Sequence, residues 1–346
     1  MTTIGVRTWL GAAAIFAGAF ALWLIVANTL SAFVLLFTGI LIAEALRPFV
    51  ERLRRRMPFG AAVAIAFGCT LVIVGLIAYI LIAPLGAEIQ RLVQAVPGYI
   101  SSLKDQLIAA ERLLKSYDLY KQLAGAFANS AGGAFSAVGA HLLAGPALLA
   151  TIVGNAVVVL LLAVGWMLSS DDLEQFVLSL TPEASRRDWK HTFDTIGLRL
   201  SAYVKGVVIN GSIVGIVIGG SAAILGVPYG LLLGFIVAIF QAIPMVGAVI
   251  SGPVVLLVVL ATSGWVKMLI MLAILTVVQM IDQNVLSPII FGQRVQLSFL
   301  LIIFSTVLGG MLLGIAGAFL AVPAAAALQV VVVQIVAPAV RRANQA

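Results

Sequence analysis

The sequence has little with which to do covalent or metal chemistry. Its 346 residues hold one cysteine, Cys69, and two histidines, His141 and His191. One thiol excludes an intrachain disulfide, and so few imidazoles and thiolates argue against a dense metal site. Charge is scarce as well. Only 10% of the residues are Asp, Glu, Lys or Arg, against roughly 25% in a soluble globular protein, which excludes a soluble enzyme. There is no P-loop and no His-Glu-x-x-His run, so nucleotide-driven work would need another subunit. Ser101-Ser102-Leu103-Lys104 matches Ser-x-x-Lys, but the partner motifs that give that pattern meaning are missing. No catalytic residue, cofactor or resident metal is expected.

What is present is apolarity: 62% of residues are hydrophobic and the mean hydropathy is +1.18. That composition belongs in a bilayer and excludes a disordered chain. The net charge of +7 then reads as basic cytoplasmic loops facing anionic lipid, not as a nucleic-acid signal. The apolar run from Ile4 to Leu46 is too long for the 7–15-residue core of a signal peptide, at about that length by rule. Polar residues at Asn28-Thr29 suggest a turn between two spans, 8–27 and 30–47. The arginine cluster Arg47, Arg52, Arg54, Arg55 and Arg56 should stay in the cytoplasm. A third span over 60–84 closes an N-terminal unit, 1–84.

Residues 85–145 change character. Apolar residues at Ile89, Leu92, Val93, Val96, Ile100, Leu103 and Leu107 fall at helical spacing between balanced charges. This predicts two amphipathic helices outside the bilayer core, separated at Pro97-Gly98, on the side opposite the arginine cluster. A fourth span, 146–168, leads to a charged cytoplasmic linker that completes a unit over 146–200. There Thr181-Pro182-Glu183 reads as a helix start, with Thr at N-cap and Pro at N1. Beside Arg47, Glu44 reads as half of an exposed i, i+3 pair.

From residue 201 to 346 the only acid is Asp282. Apolar runs cover 202–226, 229–262, 266–290 and 297–338. The second and fourth are too long for straight spans and are interrupted: by Pro244, Gly247, Gly252 and Pro253 in one, and by Gly309, Gly310, Gly314, Gly317 and Pro323 in the other. Paired broken segments are the sequence pointer to a transport site. The expected fold is therefore an all-α polytopic membrane protein. It has about eight transmembrane helices, including two broken and re-entrant or fully crossing segments, with amphipathic helices outside and both termini in the cytoplasm.

Asp282 leads the candidate site. A carboxylate at mid-span costs about 2.5–3.5 kcal/mol to insert, so it is retained for a reason. Gln279, Asp282 and Gln283 share one helical face, with Asn284 to the side. That stripe suits a cation, a proton or a small polyhydroxylated solute. Gln241, Pro244 and Gly247 mark a second point where an unwound helix would free backbone carbonyls. The simpler readings are a hydrogen-bond knot between helices and a plain proline kink. Gly211, Gly215 and Gly219 repeat every four residues and read as a helix-packing face. Lys205 reads as snorkelling to the interface.

Several stretches together resemble the bacterial autoinducer-2 exporter family of membrane proteins. They are Gly226-Val227-Pro228-Tyr229-Gly230-Leu231, Ile243-Pro244-Met245-Val246-Gly247, Gln279-Met280-Ile281-Asp282-Gln283-Asn284 with Pro288, and Gly309-Gly310 through Gly314-Ile315-Ala316-Gly317 with Pro323. Trp166-Met167-Leu168 and Tyr203-Val204-Lys205-Gly206 add to the likeness. The resemblance implies an inner-membrane transporter; some relatives are linked to export of a signalling furanone, others to sodium (or lithium)/proton exchange. The leading expectation is thus a secondary exporter of a small polar solute, coupled to a proton or sodium gradient. Its partners are that solute or ion and the lipid bilayer, with no nucleic acid, and the amphipathic arms would suit a homo-oligomer. A sodium (lithium)/proton antiporter, a non-transporting membrane scaffold and a passive oligomeric channel are the alternatives.

Overall fold

The computed structural model describes the backbone of residues 6–113, 145–243, 246–291 and 297–343. Among these residues every regular element is a helix, with no strand. The elements are α1 (Val6–Arg54), α2 (Phe59–Leu113), α3 (Gly145–Leu180), α4 (Glu183–Ile224), α5 (Gly230–Phe240) and α6 (Val246–Ile281). A π turn (Asp282–Leu286), α7 (Ser287–Phe291), α8 (Phe299–Val331), a second π turn (Val332–Val336) and α9 (Ala337–Ala343) follow. In a bilayer every backbone polar group must be satisfied within the chain, and helices do this segment by segment.

The all-α polytopic architecture is as expected, but the spans are divided differently. Among the described residues, six helical stretches are long and apolar enough to cross a membrane, and the shorter apolar α5 accompanies them. The turn expected at Asn28-Thr29 is absent: α1 runs unbroken through it. Two polar residues cost a helix only tenths of a kcal/mol each, roughly, too little to break it. α2 likewise continues through Pro97-Gly98. The first amphipathic helix is thus an extension of the third span, and the rest of the predicted arm, residues 114–144, lies outside the described residues. One missing backbone donor is tolerated inside so long a helix. Within the polar linker, α3 carries on to Leu180 and α4 begins at Glu183. The break between them falls where predicted, shifted by one residue. Pro182 is the N-cap, and the Thr181 hydroxyl donates back to the Val177 carbonyl at 2.8 Å.

Apolar surface divides by direction. Leu71, Val72, Ile73, Val74, Ile77 and Ile80 of α2 are all exposed, which in water would be untenable and in lipid is required. Inward, Ala43, Val50, Ala62, Val63, Phe67 and Met167 pack α1, α2 and α3 together. A larger cluster joins α4, α5 and α6 through Val214, Ile218, Leu233, Val237, Val255, Val259 and Met271, and α2 reaches it with Leu85 and Leu92. Leu41, Leu200 and Leu320 tie α1, α4 and α8.

The glycine repeat of α4 packs as expected. A Cβ on Gly211 would stand 2.6 Å from the Ala238 carbonyl oxygen, one on Gly215 2.6 Å from that of Gly234, and one on Gly219 2.9 Å from that of Gly230. The α5 partner positions are themselves four residues apart, so two small-residue faces meet and the backbones touch. At the head of α5, Glu88 of α2 accepts a hydrogen bond from the Leu232 backbone N–H at 2.7 Å, a carboxylate on a helix N-terminus.

Candidate functional site

Both interrupted segments are broken. The first breaks between α5 and α6. α5 has only 11 residues, about 16 Å of helix against a hydrocarbon core of about 30 Å. It ends in a turn over 241–243, and α6 restarts at Val246 so close by that a Cβ on Gly247 would overlap the Phe240 carbonyl oxygen. A further break, at Gly264, falls in the gap between the 229–262 and 266–290 apolar runs. Its φ of 82° is outside the helical range, and Met268 packs back onto Leu260 and Ala261, so the two halves of α6 fold together. Gly252 and Pro253, expected to interrupt this run, lie inside unbroken helix. Pro244 lies outside the described residues.

In α8 the break is at Gly314, φ 63° and ψ −145°, a conformation essentially reserved to glycine. Gly309 and Gly317 would be about 12 Å apart along a straight helix. Instead, a Cβ on either would strike the other's carbonyl oxygen. The two halves therefore form a tight helical hairpin, with Gly310 beside Ala318. Each of the four predicted glycines thus lies at or against this turn.

Asp282 follows directly on the second half of α6, as the first residue of the π turn, and is 5% exposed. Its Oδ2 accepts a hydrogen bond from Gln241 Nε2 at 2.5 Å and its Oδ1 one from the Ser287 hydroxyl at 3.2 Å. The carboxylate is thereby fixed to the residue where α5 stops. The other stripe residues separate from it. Gln279 is half-buried, whereas Gln283 and Asn284 are exposed and the Asn284 amide donates to the Met280 carbonyl on its own helix. The reason is local: Asp282–Leu286 is a π turn, wider than the α-helix on which the i, i+3, i+4 face depends.

Three residues not assigned to the site from the sequence belong to this region. Ser287 is one. Tyr203 of α4 is 1% exposed, and its hydroxyl stands 3.2 Å from the Ala242 carbonyl and 3.3 Å from that of Phe319. It therefore joins the α5–α6 turn to the α8 hairpin. Asn210, two turns further along α4, is 3% exposed, and its Oδ1 has no hydrogen-bond partner among the described residues. The neighbouring Gly211 abuts Ala238, three residues before Gln241, so Asn210 lies near the level of the Asp282–Gln241 junction. A buried acceptor without a donor costs about 1–3 kcal/mol. Its only sequence signal was an isolated amide in an apolar run. Lys205 is exposed, in keeping with a snorkelling role. Among the described residues no cluster of His, Cys, Asp and Glu could hold a metal.

Away from this junction, Glu44 corrects its sequence reading. The i, i+3 pair with Arg47 exists at 2.9 Å, but Glu44 is 5% exposed, and Trp166 Nε1 donates to it at 2.8 Å. The packing of α3 on α1 brings Trp166 over the carboxylate, a contact 122 residues apart in the chain.

These features define a multi-pass α-helical membrane protein with interrupted helices meeting at a buried carboxylate. The chain belongs to the AI-2E transporter family, whose profile matches residues 11–337. It is 30% identical over 161 residues to "Putative transport protein YrrI" of Bacillus subtilis, covering 46% of this chain and 45% of that one. It is 34% identical over 109 residues to "Putative transport protein MT0215" of Mycobacterium tuberculosis, covering 32% and 30%. It is 29% identical over 109 residues to "Putative transport protein YhhT" of Escherichia coli, covering 32% and 31%. The matched stretches span less than half the length of each of these relatives.

Proposed function

We propose that the chain is a secondary transporter of the bacterial inner membrane, with the arginine-rich segment 47–56 and the C-terminus cytoplasmic. It exports a small polar solute, such as a signalling furanone, at the expense of a proton or sodium gradient. The observation that carries this reading is the Asp282 carboxylate, buried and held by Gln241 at the point where α5 is interrupted. Its coupling role follows from its chemistry. A proton or cation taken up by Asp282 competes with Gln241 and Ser287 for the same two oxygens. Loading therefore loosens the bond between α6 and the α5 end, and unloading restores it. Tyr203 carries the change further, because one hydroxyl serves the α5–α6 turn and the α8 hairpin. Gly247 and the Gly309–Gly317 pair let these segments meet without side chains between them. Asn210 Oδ1 supplies an acceptor for a donor group on the solute.

The names of the relatives support transport and leave the solute open. A second reading, sodium (or lithium)/proton exchange, is favoured by the acceptor-rich character of the junction. Flux in proteoliposomes under separately imposed proton and sodium gradients tests both. Solute efflux that follows either gradient supports the exporter; sodium-for-proton exchange without a solute supports the antiporter. Flux of neither kind in correctly folded protein would leave a non-transporting scaffold.

A further inference from the structure

A cavity of about 560 Å³ lies between α1, α3 and α4, with Ala327 of α8 on its border. Its size falls within the 300–1,000 Å³ typical, roughly, of small-molecule sites. The Glu44–Arg47–Trp166 network described above is part of its lining. Glu44 is held through both oxygens: Oε1 accepts from Trp166 and from Arg47 Nη2, and Oε2 from Arg47 Nε. The same Arg47 Nη2 donates to Ser170 at 2.9 Å, and Nη1 lies 3.7 Å from Asp171. The one guanidinium of the lining is therefore engaged by two carboxylates. Glu51, Glu174 and Asp194 also line the cavity, and among the described residues they form no salt bridge. Burial and the neighbouring Asp194 raise the Glu174 carboxyl above its ordinary range, against the opposing charges of Lys190, outside the cavity, and Arg47, within its lining. Aromatic surface completes the wall, from Phe37, Trp166 and Phe193.

We propose that this cavity is a second binding site, separate from the Asp282 junction, for an amphipathic organic cation of the aryl- or alkylammonium class. Three observations converge on that ligand. The volume admits a molecule, not merely an ion. The acids outnumber the single, already engaged base, so the field inside favours positive charge. The aromatic faces attract an ammonium and cover its apolar body. An inorganic cation would gain nothing from the rings, and an anion would face the excess carboxylates. α4 contributes Phe193, Asp194 and Gly197 to this cavity and Tyr203 to the α5–α6 turn. One helix, α4, thus runs past both sites.

The test is equilibrium dialysis of radiolabelled benzyltrimethylammonium against the full chain in nanodiscs, with phenylacetate as the competitor of opposite charge. Saturable binding is expected, resisted by phenylacetate and weakened about tenfold or more in the double variant Glu174→Gln, Asp194→Asn, since each tenfold is about 1.4 kcal/mol. Both substitutions keep size and polarity at positions that are not deeply buried, so folding is retained. Asp282→Asn is expected to leave this binding unchanged. The proposal is overturned by any of four results: no saturable binding to the unaltered chain, equal competition by phenylacetate, undiminished binding in the double variant, or loss of binding in Asp282→Asn.

Discussion

Asp282→Asn separates a coupling carboxylate from a structural one. The amide keeps the size of the side chain. With its oxygen toward Gln241 Nε2 and its NH₂ toward the Ser287 oxygen, both hydrogen bonds seen in the structure can be remade. Two terms oppose each other. A hydrogen bond to a charged group contributes about 1.5–3 kcal/mol and a neutral one about 1, so the Gln241 contact weakens by about 1–2 kcal/mol. The cost of burying a carboxylate, about 2.5–3.5 kcal/mol at mid-membrane, disappears at the same time. The variant should therefore insert and fold at least as well as the parent. Gradient-driven flux should nevertheless fall more than tenfold, because nothing remains to take up a proton or bind a cation. Flux per folded molecule in proteoliposomes, read alongside the apparent melting temperature in detergent, measures both quantities. A variant that folds and transports with unchanged ion dependence would remove Asp282 from the mechanism. One that fails to fold would show that the charge is itself structural.

Further tests address the surrounding parts. Tyr203→Phe leaves the Ala242 and Phe319 carbonyls without their shared donor; it should cost about 1–3 kcal/mol and slow transport, as read by melting temperature and flux. Gly314→Ala forces a side chain into a glycine-only conformation and should destabilise by about 1–3 kcal/mol. Gly252→Ala, in unbroken helix with open space around it, should be neutral or stabilising by up to about 1 kcal/mol. Asn210→Leu removes an unpartnered buried acceptor and should raise the melting temperature while lowering solute flux; unchanged flux would make the amide a structural imperfection. For orientation, single cysteines at Arg55, Gln122 and Ser185 in a Cys69→Ala background should label with an impermeant thiol reagent on intact cells only at Gln122. Labelling at Arg55 would invert the proposed topology.

Composition alone fixed the solvent. With 62% hydrophobic residues and 10% charged, the chain can satisfy its backbone in lipid only as helices. The sequence also located the points of weakness near Gly247 and Gly314, because glycine recurs where backbones must approach or φ must turn positive. The lone acid of the second half was legible as well, since a buried charge is costly enough to be conspicuous. Tertiary structure decided what local signals could not. Asn28-Thr29 and Pro97-Gly98 read as breaks, yet their preferences are small beside the hydrogen bonds of a long continuous helix. Gly264 falls in the gap between two apolar runs, but that the helices on either side fold together there is decided by Met268 packing back on Ala261. The π turn at Asp282 shifts Gln283 and Asn284 off the face that regular spacing assigns them. Glu44 is buried because Trp166 arrives from another helix, and Tyr203 matters because two distant turns converge on its hydroxyl. Periodicity describes one helix at a time, whereas each of these contacts depends on where a second helix lies.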